Sequence, residues 1–194
     1  MLTLFYLSEF VCIKILKADV VFVIFITKLM ETRPKIKLPL EPLDKTLEIS
    51  GKFIILLIWI LALIAFFKMP DTIPIHFNAA GQPDNYGNKG TIFILPIIAT
   101  IIFIGLTILN RYPHIFNYVT AITEANASDQ YLIATRMIRF IKLIIAIVFT
   151  AIVLITFLTS VNITNGLGSW FLPLTIGLIF IPTIYSIIMS FTKK

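Results

Sequence analysis

Four long apolar segments separated by shorter polar ones dominate the chain. A helix that crosses the hydrocarbon of a bilayer needs about 20 mostly apolar residues. Four segments reach that length, and they cover about residues 49–67, 91–109, 140–161 and 170–189. The pattern therefore predicts an all-α integral membrane protein with four transmembrane helices.

The composition supports this interpretation. Hydrophobic residues make up 58% of the 194 positions, and charged residues only 13%, about half the share of an ordinary soluble domain. Such a chain cannot cover a soluble fold with polar side chains, so a soluble enzyme, a disordered chain and a nucleic-acid binder are excluded. The single cysteine, Cys12, excludes an intramolecular disulfide.

Positive charges are distributed unevenly among the segments that flank the predicted spans. Most lie before span one, between spans two and three, and at the C-terminus: Arg33, Lys35, Lys37, Lys45, Lys52, Arg111, Arg136, Arg139, Lys193 and Lys194. Segments 68–90 and 162–169 are balanced or uncharged. Since cytoplasmic segments are rich in Lys and Arg, we predict both termini inside, loop 69–90 outside, and a location in the cell membrane with the lipid bilayer as partner.

Residues 1–29 do not fit the four-span scheme. They are apolar overall, but Glu9, Lys14, Lys17 and Asp19 interrupt them, and each costs about 2.5–3.5 kcal/mol at a helix centre. They could form a peripheral amphipathic helix, a poor fifth span or an extension that is not normally translated. We favour the extension because composition changes sharply at Met30, where a basic cytoplasmic lead (30–48) precedes the membrane domain (49–194).

The connection between spans two and three is long, and from about Glu124 its residues favour a helix. We predict an amphipathic cytoplasmic helix that lies with its apolar side in the headgroup layer and runs into span three. Lys142 falls near the start of that span. Its amine is expected to extend to the headgroups rather than to lie among the helices.

The chemistry-bearing residues cluster in the outer loop 69–90. Ile73, Ile75 and Phe77 alternate with polar positions, which predicts an extended segment with His76 and Asn78 on the opposite face. Turn residues follow, so the chain doubles back and could bring Asp84 or Lys89 near His76. The candidate ligand-binding residues are therefore His76, Asn78, Asp84 and Lys89, and the candidate structural residues are Pro70, Pro74, Gly81 and Gly87.

Several kinds of site fit this loop poorly. A zinc site needs three or four ligands, whereas the loop offers only Asp71, His76 and Asp84, so we predict neither a metal nor another cofactor. For nucleophilic catalysis the loop provides only Thr72 and Lys89, and no catalytic residue is assigned. The predicted spans contain no Asp, Glu, Arg or His, which argues against ion transport.

A purely structural reading of the loop is also open. Its prolines and glycines could shape a short lid between two helices. In that case Asp71 could cap a turn, Asn88 could cap span two, and His76 could bond a loop carbonyl. A loop of this length is nevertheless usually functional.

The loop sequence resembles a known family. Pro70-Asp-x-Ile-Pro-x-His-Phe-Asn78, followed by Gly81, Asp84, Gly87 and Lys89, is similar to the bacterial membrane domain of unknown function 1648 over about Thr46–Leu109. That domain also occurs in Sdp-type immunity proteins, which protect a cell from its own secreted toxic peptide. The immunity proteins that act as signalling receptors have more spans and a further region that this sequence does not show, so the immunity function does not follow from the resemblance, and the shared domain has no assigned chemistry.

Together these features predict a non-enzymatic binding, sensing or immunity-like module that uses the outer loop toward a peptide or a membrane-protein partner. A small intramembrane enzyme or metal protein that uses the same loop is the first alternative. A structural subunit of a membrane complex is the second.

Overall fold

The structure is a computed structural model that describes residues 33–193. It contains four long helices, here α1 to α4, and two short strands, β1 and β2. In chain order these are α1 (Pro42–Lys68), β1 (Thr72–Phe77), β2 (Pro83–Asn88), a 3₁₀ turn (Lys89–Phe93), α2 (Ile94–Leu109), a 3₁₀ turn (Pro113–Ile115), α3 (Ala127–Ser160) and α4 (Phe171–Thr192).

The four helices confirm the predicted span count. Within the described part of the chain, Pro42–Lys68, Lys89–Leu109, Ala127–Ser160 and Phe171–Thr192 are long and apolar enough to cross a membrane. The chain is therefore a mostly helical, multi-pass membrane protein. The all-α prediction is incomplete, however, because the outer loop forms a two-stranded sheet. The prediction for residues 1–29 lies outside the described residues.

Two helices begin well before the predicted spans. Helix α1 starts at Pro42 rather than near residue 49, and α3 starts at Ala127 rather than near residue 140. At about 1.5 Å per residue, their 27 and 34 residues measure about 40 and 50 Å, more than the roughly 30 Å of hydrocarbon. Polar first turns thus continue directly into the apolar spans.

The helix predicted before span three is present and runs into that span as predicted, but its packing differs from the predicted one. The corresponding residues are the first turns of α3, and the face that they bury in the protein carries the polar side chains Gln130, Thr135 and Arg139 beside Ala127 and Tyr131. A helix in the headgroup layer would bury its apolar side in lipid instead.

The core lies between α1, α2, α3 and the sheet. Ile58, Ala62 and Ala65 of α1 pack with Ala99 of α2 and Val153 of α3, all at 2% exposure or less. Small side chains at such positions let membrane helices approach closely. Helix α4 packs chiefly against α3, and most of its large apolar side chains stay exposed.

The connections gather at two ends of the bundle. At the hairpin end, the β1–β2 turn contacts the α3–α4 connection through a hydrogen bond from Leu167 N to Gly81 O (2.7 Å). At the opposite end, here called the charged end because the lead and the first turns of α1 and α3 carry most of the charged residues, Arg33 of the lead donates to Phe116 O (2.5 Å) in the α2–α3 connection. The end of α4 is fixed there too, because Gln130 donates to Ser190 O (2.9 Å).

Candidate functional site

The outer loop folds into an antiparallel β-hairpin. Thr72 pairs with Asn88, and Phe77 pairs with Pro83, the first residue of β2. A two-stranded ribbon consists only of edges, so proline can occupy it without removing a central ladder bond. Lys89 N donates to Asp71 O (2.9 Å) and closes the base of the hairpin.

The strands do not alternate as predicted, because the register shifts on either side of His76. Ile73 and Pro74 are both buried, with Ile73 at 1% exposure in the core, whereas Ile75 is 44% exposed. The prediction that Ile73, Ile75 and Phe77 share a face opposite His76 is therefore wrong. A β-bulge re-aims the side chains that follow it, and here one isoleucine anchors the hairpin.

His76 and Asp84 form an exposed pair across the hairpin. The distance from His76 Nδ1 to Asp84 Oδ1 is 2.5 Å, and the two side chains are 66% and 41% exposed. With Nδ1 donating to the carboxylate, the Nε2 atom of His76 has no protein partner within the described residues. The pairing thus fixes the ring and presents Nε2 outward.

Asn78 has a different position from the one predicted. Its Oδ1 accepts hydrogen bonds from Ala80 N (3.0 Å) and Gln82 N (3.1 Å), and its backbone N donates to Gln82 O. This is an Asx-type turn, in which a side chain replaces a backbone acceptor. Asn78 shapes the turn, so its amide oxygen is already occupied.

Lys89 is also engaged within the protein rather than near His76. Its Nζ lies 2.8 Å from Asp71 Oδ1 and 5.3 Å from the centre of the Phe66 ring. The hydrogen bond and the charge of Lys89 hold the pKa of the Asp71 carboxyl below its usual range. The next residue back, Asn88, caps the 3₁₀ turn by accepting from Gly90 N (2.8 Å).

Glycine permits the hairpin to dock on the α3–α4 connection. Gly81 adopts φ +74°, and a Cβ there would lie 2.4 Å from the backbone of Gly168. A Cβ on Gly166 would lie 2.2 Å from Gly81 O. Only residues without side chains permit this backbone approach. An open cleft of about 350 Å³ lies at the junction.

The assembled hairpin site offers one aromatic nitrogen and one carboxylate. Within residues 33–193, no three side chains of His, Cys, Asp or Glu come together as a metal-ligand set. Apart from Asp84, no side chain in that part of the chain shares a hydrogen bond with His76. The arrangement is suited to recognising a hydrogen-bonding group on another molecule.

At the opposite end of the bundle, α1 and α3 meet through buried charges that the sequence reasoning did not connect. Arg136 of α3 donates to both carboxylate oxygens of Asp44 (3.1 and 3.3 Å) and to Glu41 (2.7 Å). Arg139 Nη1 lies 3.5 Å from Asp44, whose side chain is 1% exposed. Three acidic and three basic residues form this charge network: Glu41, Asp44, Glu48, Arg136, Arg139 and Lys142.

Lys142 is the most enclosed member of the network. Its Nζ lies 2.7 Å from each carboxylate oxygen of Glu48 and 2.8 Å from Thr107 Oγ1, and its side chain has no exposed surface. The prediction that this amine extends to the headgroups is therefore wrong. The prediction placed Glu48 in the lead, before span one. In the structure Glu48 lies inside α1, so the helix that continues into span one carries acidic side chains.

The sequence does contain a signal for this network. The acidic positions 41, 44 and 48 and the basic positions 136, 139 and 142 each follow a three- or four-residue spacing, which puts each set on one helix face. These charges indicate more than the orientation of the chain, because opposite signs at helical spacing on two helices predict a contact between the helices.

The fold and the hairpin define a class: a multi-pass membrane protein that has, within residues 33–193, four long apolar helices and an ordered hairpin between α1 and α2. The family model described as "Domain of unknown function (DUF1648)" matches residues 53–100, which include all four candidate ligand-binding residues. This match confirms the predicted resemblance over span one, the hairpin and the start of α2.

One curated relative has a similar segment. It is described as "Uncharacterized protein" from Archaeoglobus fulgidus and is 34% identical over an alignment of 87 residues, which covers 41% of this chain and 48% of the relative. The chain thus spans about half the length of that relative, which comes from an archaeon although the resemblance suggested a bacterial domain. No solved structure matches the chain.

Proposed function

We propose that the protein is a non-enzymatic binding or sensing module of the cell membrane, with the hairpin facing outward and both termini in the cytoplasm. The orientation rests on the excess of Lys and Arg at the charged end. The ligand is a peptide or another membrane protein that reaches the hairpin from outside.

The observation that carries this proposal is the exposed His76–Asp84 pair. The side chains that hold the hairpin in place are elsewhere: Ile73 in the core, Asn78 in the turn, and Lys89 at the base. His76 and Asp84 are therefore available to contact another molecule, because neither is buried and neither anchors the hairpin to the helices. An oriented, exposed imidazole on a rigid support is suited to contact a partner.

The roles of the four candidate residues differ accordingly. His76 contacts the ligand through Nε2, and Asp84 positions the ring. Asn78 shapes the turn and Lys89 pairs with Asp71 at the base of the hairpin, so both side chains are engaged within the hairpin rather than with the ligand.

Site-specific photo-crosslinking in the native membrane tests this function. A photoreactive residue replaces Tyr86, which is 57% exposed on β2. We expect an adduct with one partner, and we expect His76→Ala and Asp84→Ala to remove it while membrane abundance stays unchanged. The matched control is Thr72→Ala, which also truncates an exposed polar residue of β1.

Adduct formation that is the same in the His76→Ala, Asp84→Ala and Thr72→Ala proteins would contradict a role for the pair. A loss of abundance in step with the loss of adduct would instead show that the hairpin is only a structural lid. Measuring both quantities in the same membranes separates the two outcomes.

A further inference from the structure

A cavity of about 540 Å³ opens beside the charge network, between the lead, the start of α1 and the end of α2. Lys52 and Asn110 indicate the depth of the cavity relative to the membrane. The apolar part of α1 begins directly after Lys52, and that of α2 ends directly before Asn110. The cavity therefore lies where the spans meet the headgroup region. Its walls include apolar side chains of the lead, among them Ile36 and Leu40.

The lining carries a surplus of positive charge. Lys37, Lys52 and Arg111 line the cavity and are exposed, and their side chains form neither ion pairs nor hydrogen bonds within the described residues. The acidic residue of the lining is Glu48, and Lys142 contacts both of its carboxylate oxygens. The network itself is balanced, with three acidic and three basic members, so it does not neutralise the three free cations.

Two buried polar atoms in the lining also lack hydrogen-bond partners. Arg139 is 7% exposed, yet its Nε donates no hydrogen bond, because its 3.3 Å contact with Glu48 Oε1 is poorly aligned. Asn110 Nδ2 donates to Thr135 O (3.2 Å), but Asn110 Oδ1 has no donor. Buried polar groups are normally paired, and a gap of this kind calls for an explanation.

We propose that this cavity binds a single phosphate-bearing anion. Lys37, Lys52 and Arg111 supply the charge, and the guanidinium of Arg111 can contact two phosphate oxygens at once. Asn110 Oδ1 accepts a hydrogen bond from a hydroxyl next to the phosphate.

A phosphate ester with a neighbouring hydroxyl has two sources: an anionic lipid headgroup such as that of phosphatidylglycerol, or a soluble phosphate. Basic pockets between membrane helices at this depth are suited to lipid headgroups. The apolar walls formed by the lead continue such a site toward acyl chains.

The test uses the full chain in a neutral detergent. Native mass spectrometry measures the affinity for phosphatidylglycerol and, separately, for phosphatidylcholine. In a second arm without lipid, the thermal midpoint is compared in sodium phosphate and in sodium chloride of equal ionic strength. Arg111→Gln and Lys52→Gln each remove one lining charge, and Lys45→Gln removes one from the same helix outside the cavity.

We expect phosphatidylglycerol to bind more tightly than phosphatidylcholine, with affinity falling about fivefold or more in Arg111→Gln and Lys52→Gln and less than twofold in Lys45→Gln. Stabilisation by inorganic phosphate that the same two variants abolish would identify a soluble anion as a ligand of the same site. Because the substituted side chains are exposed and unpaired, the thermal midpoint without ligand should not change.

Equal binding of the two lipids, together with no effect of phosphate, would overturn the proposal. So would an equal loss of affinity in Lys45→Gln, since that result indicates general attraction to a basic surface rather than a site.

Discussion

The hairpin end and the charged end join the same helices by different physical means. At the hairpin end, backbone contacts backbone, through Gly81 and Leu167, and a single isoleucine, Ile73, enters the core. At the charged end, side chains from α1 and α3 pair in a network whose innermost amine, that of Lys142, has no exposed surface. The first end depends on shape and the second on charge balance.

This difference indicates where substitution is tolerated. Backbone contacts at the hairpin leave its exposed side chains free to vary or to bind. In the charge network, by contrast, each charged side chain forms an ion pair with another member. Removing one partner of a buried ion pair leaves an uncompensated charge. Function that requires exposed, adaptable groups is therefore more readily located on the hairpin.

The largest effect is expected from Lys142→Met. This change leaves the Glu48 carboxylate without its closest cation and should lower the free energy of unfolding by about 3–5 kcal/mol. Denaturant titration in detergent micelles measures it. In the double variant Glu48→Gln/Lys142→Met the buried charge is gone, so part of the loss should be recovered. Unchanged stability of Lys142→Met would show that the network does not hold α1 to α3.

The anchor of the hairpin gives the next largest effect. Ile73→Ala removes a side chain that is 1% exposed and should cost about 2–5 kcal/mol in the same titration. Ile75→Ala, two positions along and 44% exposed, is the matched control and should remain within about 0.5 kcal/mol. Equal effects would mean that the strand faces alternate in the ordinary way and that the bulge is absent.

Gly81→Ala tests the backbone contact between the hairpin and the α3–α4 connection. The new Cβ meets the Gly168 backbone at 2.4 Å in a left-handed conformation, which should cost about 1–3 kcal/mol. Proteolysis at the 78–82 turn should also become faster. Gly105→Ala, in α2 with open space around it, should instead be neutral or stabilising by up to about 1 kcal/mol. If both glycines tolerate alanine equally, the two loops are not in close contact.

The smallest effect concerns the ion pair at the base of the hairpin. Lys89 lowers the pKa of the Asp71 carboxyl, so the pair contributes above the ordinary carboxyl pKa and is lost as pH falls through the lowered one. We expect an NMR titration of Asp71 to have its midpoint below about 3.9, and Lys89→Gln to return it toward that value. Stability at neutral pH should hardly change in Lys89→Gln. An Asp71 midpoint that Lys89→Gln leaves in place would show that the pair does not form.

Much of the candidate site could be predicted locally. Turn residues between His76 and Asp84 indicate that the chain reverses, and the reversal alone brings these two side chains together across eight positions. The separate roles of Asn78 and Lys89 could not be predicted in this way. A side chain that points outward in a regular strand can still bond to its own backbone, as Asn78 does, or contact a helix, as Lys89 does. Which of these contacts forms depends on the bulge and on the helices packed beside the hairpin.

The class of protein, and the four spans within residues 33–193, follow from the sequence alone. Apolar runs of membrane length leave few alternatives in lipid, where only closed hydrogen-bonded elements such as helices are stable. The family resemblance over residues 53–100 was likewise readable from the hairpin motif.

Which charges are buried, by contrast, depends on how the helices pack against one another. Lys142 and Glu48 are 94 residues apart in the chain, and either one alone would be expected at the water interface. Their pairing offsets part of the penalty for burial, because each neutralises the other inside the bundle. The position of a charged side chain at a span boundary therefore depends on the helix that packs against it.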